Sequence, residues 1–233
     1  MDNVENFKGI NLLTGINTHP GSGRADQHEE EYALFQQVLS FVEDKDTPVM
    51  VELGSNWALW SLCFRYKFPS GKNILIELGK RQLNVGIKNF GLNNFSEQHY
   101  WGGVFLEESG TFKNRDADLE YKRIEGEYYD DSIGEDVVGP EVNFVDIWDK
   151  EGLDTIDILH MDIQGSELPL IKQLKEEDKL TFINTLVIAT HSPTIHADIK
   201  HILLDSGYLF IHESAYGSVG GDGLLCATRG RLG

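Results

Sequence analysis

From Pro48 onward, short apolar runs alternate with segments whose apolar residues recur every three or four positions, and this alternation restricts the possible fold more than any other feature. Pro48-Val49-Met50-Val51-Glu52-Leu53 and Asn73-Ile74-Leu75-Ile76-Glu77 read as buried strands. Helical spacing follows each, over Leu59 to Tyr66 and about Gln82 to Phe90. A third strand is expected near His99 to Phe105. Ile156 to Met161 then leads to a helix from about Leu168 to Lys175, and Thr185 to Ala189 to a helix over Thr194 to Asp205. Tyr208 to His212 and Leu224 to Thr228 close the series as strands. Such an order predicts a mostly parallel sheet with helices on both faces. Ligands of these sheets bind beyond the carboxyl ends of the strands, near the switch in strand order. The loops after Glu52, Glu77, Met161 and Ala189 are therefore the candidate site.

The flanking segments are less regular. Met1 to Arg24, rich in Gly, Asn and Thr, reads as an irregular arm. Gln27 to Glu43 reads as a helix with Glu29, Glu30 and Glu31 in its first turn, where the helix dipole favours acids. Residues 1–45 are thus expected as an arm and helix packing on the core, and 46–233 as the ligand-binding domain. The polar, tyrosine-rich stretch Asn114 to Glu135 is expected as a surface insertion or mobile flap. Cys63 and Cys226 lack the spacing of a zinc site or disulfide framework and are expected to be reduced and buried. A net charge of −18 repels phosphate backbones and anionic lipid, so neither nucleic acid nor membrane is an expected partner. No apolar run is long enough to span a bilayer. Met1 to Asn6 carries acids where a secretion signal needs bases, so a cytoplasmic location is expected.

At the first strand end, Gly54 permits a sharp turn and close approach of a ligand to the backbone, and the next helix presents free amides. Glu52 would repel a pyrophosphate there but suits a ligand with an amino or sulfonium cation. Glu77 ends the second strand at the separation where an acid takes a ribose hydroxyl pair in nucleoside-binding folds.

These residues carry a resemblance. Val51 to Ser61 is similar to the first motif of FkbM-type methyltransferases, and Ile76-Glu77 with Asn84, Lys88-Asn89 and Leu92-Asn93 is similar to the second. His160-Met161-Asp162-Ile163-Gln164-Gly165-Ser166-Glu167 resembles that family's most recognisable stretch, preceded in order by Asn143 to Trp148 and followed by Gly221 to Leu225. Ala58 stands where the first motif usually has a second glycine, and Leu78 where a proline often follows the second acid. The resemblance implies a Rossmann-like class I methyltransferase fold with an antiparallel final strand, and S-adenosylmethionine as cofactor. It further implies that Glu52, Gly54, Ser55, Asn56 and Ser61 lie at the methionine part and Glu77 at the ribose. Leu78 would lie against the adenine, with Gly102 or Gly103 giving the base room.

On the acceptor side, Asp162 is expected to orient the acceptor or hold the cofactor's amino group, and Gln164 to lie beside it. Glu167, one turn into the following helix, is expected to brace backbone amides. His191 ends a strand and is the natural general base, its ordinary pKa lying near neutrality. Thr190 stands where related magnesium-dependent sugar O-methyltransferases put a carboxylate before this histidine, so no catalytic metal is expected. His160 is expected to be a satisfied core residue. Arg24 is a candidate clamp for an acidic group, and Tyr128 a candidate acceptor contact. The function expected is O-methylation of a sugar, a nucleotide-sugar or a small natural product. The alternatives are N-methylation of a small amine, a nicotinamide oxidoreductase disfavoured by Glu52, and a nucleoside-binding protein without chemistry.

Overall fold

The computed structural model describes residues 3–14, 29–43, 45–104, 112–113, 120–124, 127–130, 137–219 and 222–229. In chain order these form β1 (Asn3–Phe7), β2 (Ile10–Thr14), α1 (Glu29–Leu39), β3 (Val49–Leu53), α2 (Leu59–Lys67), β4 (Lys72–Glu77), α3 (Lys80–Leu92) and β5 (Gln98–Trp101). Four short strands follow: β6 (Phe112–Lys113), β7 (Glu120–Ile124), β8 (Glu127–Asp130) and β9 (Val137–Pro140). The remainder is α4 (Phe144–Lys150), β10 (Ile156–Met161), α5 (Glu167–Glu176), β11 (Ile183–Thr190), α6 (Pro193–Asp205), β12 (Leu209–Val219) and β13 (Asp222–Thr228).

The central sheet has the order β12-β13-β11-β10-β3-β4-β5. Neighbours from β11 to β5 pair in parallel, and β13 pairs antiparallel with both β11 and β12. The chain winds outward from β3 to β5, then returns to β10 on the other side of β3. The strand order therefore switches between β3 and β10, and the Asp162 amide there donates to the Leu53 carbonyl at 3.0 Å.

Alternate residues of each strand supply two separate cores. Val51, Leu53, Ile74, Ile76 and Leu159 face α4, α5 and α6, while Met50, Leu75, Ile158 and Val187 face the β1–β2 hairpin, α1, α2 and α3. Because helices cover both faces, the strands read as continuous apolar runs without polar alternation. Within the second core, the odd polar residue of β3 is Glu52. The expected elements are present with boundaries shifted by a few residues. Helix α4 is an element that the pattern of apolar runs does not mark, and the Asn143 side chain caps it by accepting from the Val145 amide.

One region differs from expectation. The start of the arm is a hairpin: β1 and β2 pair antiparallel through Lys8 and Gly9, both left-handed (φ 52° and 94°). Two residues of positive φ give the turn whose twist matches the flanking strands. Phe7, Ile10 and Leu12 are buried by it. Asn89 of α3 holds the hairpin, accepting from the Leu13 amide at 2.9 Å while donating to the Trp57 carbonyl at 3.0 Å. Within the Asn114–Glu135 stretch, expected as a surface insertion or flap, the described strands β7 and β8 pair antiparallel, flanked by β6 and β9 in one sheet.

Candidate active site

The loop after β3 is built from backbone conformation. Gly54 has φ 74°, and a Cβ on it would stand 1.9 Å from the Asp162 carbonyl oxygen. Only glycine fits where two strand ends come this close. Gly54 and Ser55 both donate their amides to the Ile76 carbonyl. Asn56 (φ 45°) and Ala58 (φ 64°) are also left-handed, a conformation that costs non-glycine residues roughly 1–2 kcal/mol. Ala58 thus keeps the conformation of the glycine it stands for. Gly86 of α3 packs beneath it, where a Cβ would lie 3.2 Å from that of Ala58.

Glu52 is 1% exposed and accepts from the Ser61 amide, in the first turn of α2, at 3.1 Å. It therefore ties strand to helix under the loop. Burial pushes its carboxyl up to about 8 against the opposing pull of the adjacent Ser61 amide. Glu77 accepts from the Asn56 amide and the Gly79 amide, both at 2.7 Å. A carboxylate has about four lone-pair sites, so acceptor capacity remains. Ser55 Oγ, Asn56 Oδ1 and Ser61 Oγ are buried without a hydrogen-bond partner. Orphaned polar atoms in a glycine turn, with an acid at the next strand end, fit the polar end and ribose of S-adenosylmethionine.

Beside Leu78 the structure adds an element. Gly102 (φ 154°) donates to the Glu77 carbonyl, and Gly103 pairs with the segment after β9. Gly139 of β9 packs on Leu78 and Trp101, where a Cβ would meet Leu78 Cδ1 at 2.8 Å. Trp101 donates from Nε1 to the Leu78 carbonyl, and Lys80 lies over its ring at 4.3 Å. Leu78 thus has β9 as a neighbour, a contact the sequence reading missed.

Across the switch point the construction changes to side-chain charge. Glu167 is 0% exposed and accepts from the Ile163 and Gly165 amides, each at 2.9 Å, so it braces the β10–α5 turn. The same Oε1 lies 2.9 Å from His191 Nδ1. The other ring nitrogen, Nε2, lies 3.2 Å from Asp162 Oδ1, which also accepts from Gln164 Nε2 at 2.9 Å. Gln164 itself is left-handed at φ 56°. The three residues form a line: a half-open acid, a buried imidazole and a buried acid. Burial would pull His191 down, but the charge of Glu167 and the contacts with both carboxylates hold it well above an ordinary histidine. For Asp162, burial acts upward, and the His191 contact and charge, with His160 and Gln164, outweigh it and hold the carboxyl low. The Asp162 side chain keeps 44% of its surface open, so its desolvation is partial.

Among the described residues, Asp162, Glu167 and His191 come near enough to supply ligand atoms to one ion. The imidazole, however, faces the two carboxylates with different nitrogens, and both Glu167 oxygens already accept amides. Neither ring nitrogen meets hydrogen-bond geometry with these oxygens, so the three residues stand as a close ion cluster rather than as a hydrogen-bonded relay or a shared coordination site.

Other histidines are accounted for separately. His196 contacts Thr190 Oγ1 at 2.9 Å and Glu213 at 3.4 Å. His160, expected to be satisfied in the core, is instead buried with Nδ1 unpartnered, its nearest acid being Glu52 at 4.0 Å. It lines a cavity, a position strand alternation alone does not reveal. Arg24 lies outside the described residues, as does the side chain of Tyr128, whose backbone is in β8.

The comparisons decide the family. The family model described as the methyltransferase FkbM domain matches residues 29–210. The chain belongs to that family. A candidate methyltransferase of Jannaschia sp. (strain CCS1) is 42% identical over 53 residues, covering 23% of this chain and 19% of that protein. The match thus spans about a fifth of that curated relative. A candidate S-adenosylmethionine-dependent methyltransferase from Streptococcus mutans has a similar structure, with TM-score 0.57 and 11% identity, covering 97% of this chain and 55% of the other. The Pyrococcus abyssi tRNA (uracil-54, C5)-methyltransferase in complex with S-adenosylhomocysteine has TM-score 0.53 and 12% identity, covering 97% and 43%. These likenesses establish the class I methyltransferase fold. Among the described residues of this FkbM-domain chain, no helix is long and apolar enough to cross a membrane.

Proposed function

We propose that this chain is an S-adenosylmethionine-dependent methyltransferase acting on a hydroxyl of a small acceptor, a sugar or natural product. The observation that carries this reading is the Asp162–His191–Glu167 line placed directly against the Gly54 turn at the switch of strand order. S-adenosylmethionine supplies a methyl group activated on a sulfonium. Ser55, Asn56 and Ser61 are available to its polar end, Glu77 to the ribose and Leu78 to the adenine, with Glu52 setting the loop from beneath.

Asp162 is the member of the line open to an acceptor, whereas the His191 side chain is 3% exposed. The reading of His191 as the group touching the acceptor is therefore amended. The acceptor hydroxyl is oriented by Asp162, with His191 behind it and Glu167 holding the ring. With S-adenosylmethionine bound, the acceptor oxygen would take the methyl group and leave S-adenosylhomocysteine, and the hydroxyl proton would pass to Asp162 and onward to water. His191, whose proton the two carboxylates favour, balances the charge. Methyl transfer is an in-line displacement that depends mainly on alignment, so a weak base suffices.

The pH dependence of kcat tests this assignment. With His191 acting as a cation, kcat stays level through neutrality and falls only above its raised pKa. If neutral His191 were itself the base, kcat would climb on the alkaline side. We further propose that no metal takes part, on the ligand geometry above; chelator treatment is expected to leave turnover unchanged within about twofold. The net charge of −18 supports a small acceptor over the tRNA of the Pyrococcus abyssi protein. Calorimetry provides the first test of the whole reading. Folded protein is expected to bind S-adenosylmethionine and S-adenosylhomocysteine but not NAD, and failure to bind either sulfur nucleoside overturns it.

A further inference from the structure

A cavity of about 290 Å³ lies between α1 and the face of β10, β11 and β13, opening where Asp162 follows its strand. Its volume is near the lower end of small-molecule pockets, room for a single-ring or short-chain compound. Glu30 and Glu31, on the first turn of α1, line it together with Asp162 and Asp222. No lysine or arginine lines it among the described residues. Deeper in, the walls are aromatic: Trp60 of α2 packs on Phe35 of α1 with ring centroids 5.3 Å apart, and its ring lies 6.4 Å from that of His160.

Two polar groups in this cavity have no counterpart. His160 is 9% exposed and its Nδ1 has no hydrogen-bond partner; Ser214 Oγ is buried and unpartnered as well. Burial pulls His160 down to about 4, so its ring is neutral and offers a lone pair. An acidic rim alone is an ordinary solvated surface. Aromatic faces behind that rim, with a neutral imidazole among them, are what an organic ammonium group requires: negative potential and π-faces.

We infer that this cavity is the acceptor site and that the acceptor carries a positively charged amine, held by Glu30, Glu31, Trp60 and His160 while a hydroxyl of the same molecule lies at Asp162. The inference rests on the methyltransferase reading for the chemistry at Asp162, but the recognition of charge is separable from it.

Choline and its neutral isostere 3,3-dimethylbutan-1-ol, each titrated into the whole chain and followed by ligand-observed NMR, test that recognition. Choline is expected to bind at least roughly tenfold tighter, since the two differ only in charge. Trp60→Leu should weaken choline by roughly tenfold and Glu30→Gln by roughly threefold, with added salt acting in the same direction. Both variants should stay folded by circular dichroism and keep S-adenosylhomocysteine affinity within about twofold. Equal binding of the alcohol, no binding of choline at tens of millimolar, or displacement of choline by S-adenosylhomocysteine would each overturn the inference. Any of these with S-adenosylhomocysteine still bound leaves the methyltransferase reading standing. Loss of S-adenosylhomocysteine binding in the folded parent chain overturns that reading instead.

Discussion

The two sides of the strand-order switch are built by different means. On the β3–β4 side, three left-handed residues, Gly54, Asn56 and Ala58, shape a turn, and unpartnered polar atoms line it. On the β10–β11 side, a buried imidazole joins a half-open acid to a buried one. Backbone conformation is set by short-range sterics and tolerates few alternatives. The charged line depends on residues from separate strands meeting in low dielectric. On the proposed reading the first holds a ligand of fixed shape and the second receives a proton, so substitutions on each should fail differently.

The largest effect is expected at the charged side. Asp162→Asn removes the proton acceptor while nearly conserving shape, and kcat should fall roughly 1,000-fold. Calorimetry with S-adenosylhomocysteine should show affinity within about threefold of the parent. A loss appearing in that affinity instead would assign Asp162 to the cofactor's amino group and erase the division of labour. At the backbone side, Gly54→Ala places a Cβ into the Asp162 carbonyl, and cofactor affinity should drop roughly 100-fold, about 3 kcal/mol. An alanine variant that binds normally would show that the two strand ends separate easily.

Glu167→Gln leaves an amide NH2 facing a backbone N–H and deprives buried His191 of its charge partner. Unfolding by denaturant should show a loss of about 3 kcal/mol. Glu52 gives a subtler, pH-dependent signature. Its folded pKa, about 8, lies above its unfolded value, so its contribution to stability is full below the unfolded pKa, near 4.5. That contribution is lost as pH rises through about 8. Glu52→Gln should flatten the stability profile over that window, read by denaturant midpoints at several pH values. An unchanged profile would mean the carboxyl ionises without penalty. The smallest effect is expected at Ala58→Gly, a gain of about 0.5 kcal/mol from relieved left-handed strain, partly offset by unfolded-state entropy.

The backbone side was the more legible from sequence because its signals are local. A glycine after an apolar run, and an acid ending the next one, are neighbours in the chain before they are neighbours in space. Glu167 as a brace was equally readable, since its amides lie within the same turn. The line it forms with His191 was not, because the contact joins β11 to the start of α5 and nothing in spacing specifies it. His191 was recognised for its type and position, but its protonation depends on two carboxylates that only the folded chain delivers. His160 was misread for a related reason: a histidine among apolar strand neighbours has the same pattern whether a helix or a cavity covers it. The hairpin at Lys8–Gly9 carried a local signal, a two-residue turn between apolar positions, which the surrounding Asn and Gly residues obscured.

Asn89 links these scales. One side chain holds the Leu13 amide of the hairpin and the Trp57 carbonyl of the glycine turn. The first strands and the ligand loop therefore share this side chain, while Asn93 and Tyr66 hold the hairpin from beside it. Hydrogen exchange at Leu13 consequently reports on a turn that it never touches. Occupancy of the loop should slow exchange at the hairpin, so the chain's opening segment serves as a remote gauge of whether its site is filled.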